Sequence, residues 1–407
     1  MAARSTSPLR ILRVVHTLRR ESGGPSESIL RSTEALLKLG HHIEVATSDD
    51  SDIASPLPDK APFHPLGGLG PDTLGAWLRK NRERFDAVLV QGLWQSGWTV
   101  RQTLRHTTTP YFVFPHGMLD PWFRRAYPIK HLKKQAYWFL RERHVLRDAD
   151  AVCFTCEEER RLAQNTFFPY QANERVVAYG TAGPPPHSRA QREVLITRFP
   201  ALAQQPFLLF LSRIHDKKGL NELIPAYATF SRANPTAPAL VIAGPCHDEN
   251  YAAQLRQLAD SADLPQLDLA ANPTAESPDA KLIWLPMLGD ELKWGAFQSC
   301  DAFILPSHQE NFGIAVAEAL ACGRPVLISN RVNIWREIEG DGAGLVEADT
   351  EAGITQLLSR WQQLDASARA TMGEAARHSF LRHFEITNAA RSLAATVSEC
   401  LPREQHS

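Results

Sequence analysis

Short apolar runs without polar alternation, each divided from the next by a helix-length segment, constrain this chain more than any other feature. In the first half they fall at 11–16 (ILRVVH), 43–48 (IEVATS), 86–92 (DAVLVQG), 111–117 (YFVFPHG), 150–155 (DAVCFT) and 175–180 (RVVAYG). In the second half they fall at 207–213 (FLLFLSR), 240–245 (LVIAGP), 281–286 (KLIWLP), 301–307 (DAFILPS), 325–330 (PVLISN) and 344–349 (GLVEAD). A strand covered on both faces has no wet side, so it loses the alternation of a half-exposed strand. Six such runs in each half predict two doubly wound α/β domains, and 407 residues are too many for one ordinary core. The Pro-rich polar stretch 181–191 reads as the linker between them. Domains are therefore expected over 1–183 and 184–383, with 384–407 a helix that packs back toward the first.

In open α/β sheets ligands sit beyond the carboxyl ends of the strands, so chemistry should follow the runs. Ser22-Gly23-Gly24-Pro25-Ser26 follows the first run and precedes an amphipathic helix. Glycine there lets backbone approach a ligand, and a helix N-terminus offers N–H groups to an anion. It is neither a dinucleotide fingerprint nor a P-loop, and an ordinary strand-to-helix turn would look the same. His116, in Pro115-His116-Gly117-Met118, stands at the tip of the fourth run, where it could meet a sugar hydroxyl or simply be a satisfied loop histidine. Arg213 and Lys218, with Lys217 and Gly219, could grip one diphosphate or form a solvated basic turn.

The richest segment is Pro306-Ser307-His308-Gln309-Glu310-Asn311-Phe312-Gly313, which leads into an apolar helix ending at Cys322-Gly323. The helix start near Phe312 or Gly313 would point free N–H groups and a positive dipole end at a phosphate. Glu318 interrupts the apolar helix (Ile314, Ala315, Val316, Ala317, Ala319, Leu320, Ala321). A carboxylate there is costly unless partnered, and it can accept from two vicinal hydroxyls at once.

Glu310 and Glu318, with seven residues between them and Phe-Gly and Ala-Cys-Gly-Arg-Pro-Val flanks, resemble the E-x7-E motif of family 4 glycosyltransferases. The family's other motifs occur in order: Gly23-Gly24, Leu39-Gly40-His41, Pro115-His116-Gly117-Met118, Arg213 with Lys218-Gly219, and Gly244-Pro245 before Tyr251. The resemblance runs from about Ile11 to about Phe384 and implies the GT-B fold, two Rossmann-like doubly wound parallel-sheet domains facing a cleft. It implies a retaining transfer from a nucleotide-diphosphate sugar to a glycan or lipid-linked glycan, in cell-surface polysaccharide biosynthesis. Arg213 and Lys218 would bind the diphosphate, Glu310 the donor-sugar hydroxyls, Glu318 the ribose and His116 the donor sugar. Gly23 and Gly24 would lie near the phosphates, and Asn311, Phe312 and Gly313 would complete the donor site. No metal or other cofactor is implied, because Arg213, Lys218 and the helix N-terminus would supply the positive charge. Two departures stand out: Ser212 where glycine often precedes the arginine, and Val332 to Glu337 in place of a glycine-containing loop. A sugar-nucleotide epimerase of the same fold, or a silent nucleotide-sugar-binding subunit, are the rival readings.

Formal net charge is −1, which argues against a nucleic-acid binder working through bulk charge. Scattered cysteines and the lack of a long apolar run point to the cytoplasm, with neither a secretory signal nor a membrane span expected. Cys153 and Cys156 form a C-x-x-C without a second pair, so strand-end packing is the reading. The stretch from Trp122 to Arg147 holds eight Lys or Arg interleaved with aromatics, and Glu142 is its only acid. It is either a surface that meets anionic membrane, at the inner face, or a solvated helix face with a buried aromatic side.

Overall fold

The computed structural model describes residues 7–19, 24–50, 57–186 and 188–401. It divides into two compact units, one formed by 1–181 with 384–407 and the other by 182–383.

The first unit is built on a parallel sheet of seven strands: β1 (Arg10–Val14), β2 (His42–Thr47), β3 (Phe63–Pro65), β4 (Ala87–Gln91), β5 (Tyr111–Phe114), β6 (Ala151–Phe154) and β7 (Glu174–Val176). Their order is β3-β2-β1-β4-β5-β6-β7. The absence of polar alternation is explained directly, because every residue of β4 is buried. Val88 and Val90 enter the core on one face, with Leu12, Val113, Val152 and Trp138. Ala87 and Leu89 enter the core on the other, with Ile11, Val45, Phe112 and Ala151. The helix Ile386–Cys400 presents Ala390, Leu393, Ala394 and Val397 to that second core, beside the helix Gly24–Lys38. Residues spaced this way share one helix face, so the end of the chain folds into the unit that holds its beginning.

The second unit repeats the plan with β8 (Phe207–Leu211), β9 (Ala239–Ala243), β10 (Gln266–Asp268), β11 (Leu282–Leu285), β12 (Ala302–Leu305), β13 (Val326–Ser329) and β14 (Gly344–Glu347). The order is β10-β11-β9-β8-β12-β13-β14, again all parallel. Each sheet thus has one strand more than the six runs expected. The additions, β3 and β10, are three-residue edge strands carrying His64, Pro65, Gln266 and Asp268, so neither shows an apolar run. The chain reverses its direction of strand addition between β1 and β4, and between β8 and β12. Crevices beyond the carboxyl ends of such strand pairs are where ligands bind in open α/β sheets.

Candidate functional site

In the second unit the loops after β8 and β12 are locked to each other. The His308 amide donates to the Lys217 carbonyl at 2.8 Å, and the Ser307 hydroxyl donates to the same oxygen at 2.9 Å. Gly219 makes this close approach feasible. Its φ is +73°, and a Cβ there would run into the Pro306 carbonyl oxygen. Gly244, at φ +146°, allows a second approach, since a Cβ would strike the Ser212 carbonyl oxygen. The backbone carrying Arg213, Lys217 and Lys218 is thereby set against the backbone carrying Gln309 and Glu310.

The side chains follow. The Lys218 ammonium is paired with the Glu310 carboxylate, and Lys217 donates to the Gln309 amide oxygen at 2.6 Å. Arg213 is exposed, and its side chain has no hydrogen-bond or ion-pair partner among the described residues. Glu310 is braced from behind by the segment from Arg331 to Asn333. Its amide donates to the Arg331 carbonyl at 3.0 Å, and its carbonyl accepts from the Asn333 amide at 2.9 Å. Val332, Asn333 and Ile334 are buried in that brace. The Asn333 side chain reaches Asn311 at 3.4 Å.

Gly313, with φ +77°, caps the helix Ile314–Ala321. First-turn amides of a helix have no partner within it, so this end faces the loops with donors and a positive dipole. Glu318 is buried about one turn in, and Lys293 on the helix Asp290–Ser299 donates to it at 2.8 Å. Lys293 carries no motif and lies 25 residues from Glu318, so nothing local in the sequence marks it.

His308 was absent from the sequence-level site and proves to be a clamp. Its Nδ1 lies 2.9 Å from Asp349 after β14, and its Nε2 lies 3.1 Å from Glu222 on the helix Leu220–Ala233. These hydrogen bonds to Asp349 and then Glu222 outweigh burial and raise the imidazolium to about 9. At neutral pH the ring is therefore charged and ties three elements together.

His116 belongs to the first unit, while the other named site side chains belong to the second. It follows β5 in a left-handed conformation, φ +49°, with Gly117 at +76°. Gly117 donates its amide to Glu159 at 2.6 Å, and Glu159 also accepts from the Thr155 amide and hydroxyl at 2.7 Å each. His116 Nε2 lies 2.7 Å from the Gln91 amide oxygen, with Phe114 and Tyr179 around the ring. Enclosure first, then the Arg13 guanidinium, lower its pKa to about 4, so the ring is neutral at pH 7. Arg13 is itself buried, donating to the Ile29 carbonyl and the Ser32 and Thr33 hydroxyls at 2.7–2.9 Å.

Of the Gly23-Gly24 pair, Gly23 lies outside the described residues and Gly24 opens the helix Gly24–Lys38. His41 is structural, accepting the Leu9 amide at 3.1 Å. Cys153 is buried in β6, and Cys156 caps the following helix, Glu157–Ala163. An open groove of about 420 Å³ lies off the ends of β1 and β2, lined by His16, Ser48, Gln95, Trp98, Tyr137 and Arg141.

The chain matches two family models: "Glycosyl transferase 4-like domain" over residues 23–180 and "Glycosyl transferases group 1" over 192–379. It is 25% identical over 352 residues to a D-inositol 3-phosphate glycosyltransferase of Kineococcus radiotolerans, covering 80% of this chain and 77% of that one. The corresponding protein of Geodermatophilus obscurus is 28% identical over 395 residues, covering 87% of this chain and 81% of that one. Among solved structures, Anabaena HepE in complex with UDP superposes with a TM-score of 0.73 at 16% identity, over 96% of this chain and 100% of that one. With a glycosyltransferase model on each of its two seven-stranded units, the chain belongs to the group 1 glycosyltransferases of GT-B fold.

Proposed function

We propose that the chain transfers a hexosyl group, with retention of configuration and without a metal, from a nucleotide-diphosphate sugar to a glycan or lipid-linked glycan. The observation that carries this reading is the locking of the β8 and β12 loops. It holds Lys218 against Glu310 beside the Gly313 helix N-terminus, at the reversal point of the second sheet. Arg213, Lys218 and the helix N-terminus receive the diphosphate. As the C1–O bond breaks, negative charge grows on the departing phosphate, and donors already in place stabilise it without reorganising. Glu310 accepts from donor-sugar hydroxyls, and Asn311 and Phe312 complete that wall. Glu318, held by Lys293, accepts from the ribose diol. His116, neutral and fixed by Gln91, meets the sugar with an uncharged ring. The acceptor deprotonates onto the leaving phosphate in a front-face reaction, so no carboxylate acts as a glycosidase-type nucleophile. The setting is cell-surface polysaccharide synthesis at the cytoplasmic face of a membrane.

The test is a thermal-shift screen against UDP, GDP, ADP and their common sugar conjugates, on the wild type and on Glu318→Ala. A ligand that binds the folded state raises the melting temperature by mass action. One nucleotide series should stabilise the wild type and lose its effect in the variant. No stabilisation by any series would remove the donor reading.

A further inference from the structure

The segment from Trp122 to Arg147 buries some of its apolar side chains and turns others outward. Within it, the helix Pro128–Tyr137 runs into a wide turn, Trp138–Glu142. Trp138 faces inward and is fully buried, stacked on Phe167 at 5.1 Å, while its indole N–H donates to the Pro169 carbonyl at 2.9 Å. His131, on the same inner side, stacks on Phe167 at 4.6 Å. Ile129, Leu132, Lys133, Ala136 and Leu140, at steps of three and four residues, all face out. Ile129 is 78% exposed, Leu132 74%, Leu140 69% and Phe139 52%, and Phe168, 80% exposed, is tied to the same helix by backbone hydrogen bonds with the Gln135 side chain. With Tyr127, these are six of the ten large hydrophobic side chains exposed among the described residues, so the patch is not the ordinary scatter of a soluble surface.

Charge identifies what covers it. Arg124, Arg125, Lys130, Lys133 and Arg141 are exposed on the same segment, and Arg143 lies over the Phe139 ring at 4.1 Å. The segment's one acid, Glu142, is buried and turned inward to the Trp94 amide. Two copies meeting face to face through this surface would juxtapose like charges, which disfavours self-association. No helix among the described residues is long and apolar enough to cross a membrane, so the segment would lie along a bilayer.

We propose that this face docks on an anionic lipid bilayer, with Ile129, Leu132, Phe139 and Leu140 entering the headgroup boundary and Lys130 and Lys133 pairing with lipid phosphates. Docking is separable from the transfer reaction, since it requires neither a donor nor turnover.

The chain is sedimented with sucrose-loaded vesicles of phosphatidylcholine alone or of phosphatidylcholine mixed with phosphatidylglycerol. Binding should require phosphatidylglycerol and weaken with added salt. Lys130→Glu with Lys133→Glu, and separately Ile129→Glu with Leu132→Glu, should each lower partitioning by about tenfold or more. Lys80→Glu, an exposed reversal elsewhere on the same unit, should leave it unchanged. Circular dichroism and size exclusion establish that each variant is folded. The proposal is overturned if anionic vesicles do not bind the wild type, or if folded variants bind as well as it does. A wild-type dimer that Leu132→Glu dissociates would assign the face to a second copy and overturn it equally.

Discussion

The Glu318 carboxylate, on a helix whose other side chains are apolar, accepts a hydrogen bond from the Lys293 ammonium at 2.8 Å. Both groups are largely withdrawn from water, with side-chain exposures of 4% and 14%. Removing one partner takes this ion pair away from a charged group that is largely withdrawn from water. Lys293→Met should therefore cost about 3–5 kcal/mol. Lys293→Met with Glu318→Leu should recover much of that loss, because the double change removes both charges. Urea denaturation of the two variants checks this, and a single variant within 1 kcal/mol of wild type would show that the pair is uncoupled.

Arg213 offers the opposite separation of fold from function. It is exposed and its side chain has no partner among the described residues, so Arg213→Ala should move stability by no more than about 0.5 kcal/mol. If it binds the leaving diphosphate, kcat should still fall by about 10²–10³. Transfer kinetics and a melting curve on the same preparation decide this.

The two histidines should each reduce stability away from neutral pH, on opposite sides. His308 is raised to about 9 in the folded protein from an ordinary 6.5, so its contribution is complete below pH 6.5 and is lost as pH climbs through 9. A shift of this size corresponds to up to about 3 kcal/mol. His116 is lowered to about 4, so the unfolded chain takes up a proton that the folded chain refuses as pH falls from 6.5 toward 4. Stability should decline there too. His308→Gln should flatten the alkaline limb and leave the acid limb in place, as read by denaturant midpoints across pH 4–10.

Gly219→Ala should loosen the donor loops. The residue is left-handed, and the added methyl would meet the Pro306 carbonyl, so the β8 and β12 loops must part. A cost of about 1–3 kcal/mol is expected, with weaker nucleotide binding in the same variant. Gly340→Ala meets nothing and should be near neutral, which makes it the control for the melting and titration measurements.

The sequence alone determined the parts that depend on neighbours along the chain. Twelve apolar runs marked twelve of the fourteen parallel strands, because a strand covered on both faces must be apolar throughout. The strand-to-helix turns that hold Arg213, Lys218, Glu310 and Gly313 were legible for the same reason, since ligands in such sheets gather where strands end. What remained hidden involved residues far apart in sequence. The edge strands β3 and β10 carry no apolar run and are recognised only by their pairing with β2 and β11. Lys293 matters only because two helices bring it to Glu318, and His308 because Glu222 and Asp349, 86 and 41 residues away, converge on it. The segment after Trp122 shows the division most plainly. Its spacing establishes a helix with aromatic and basic residues on several sides, but only the packing of Trp138 against Phe167 decides that Ile129, Leu132 and Leu140 face outward. Periodicity sets which side chains share a face, and tertiary contact sets which face is covered.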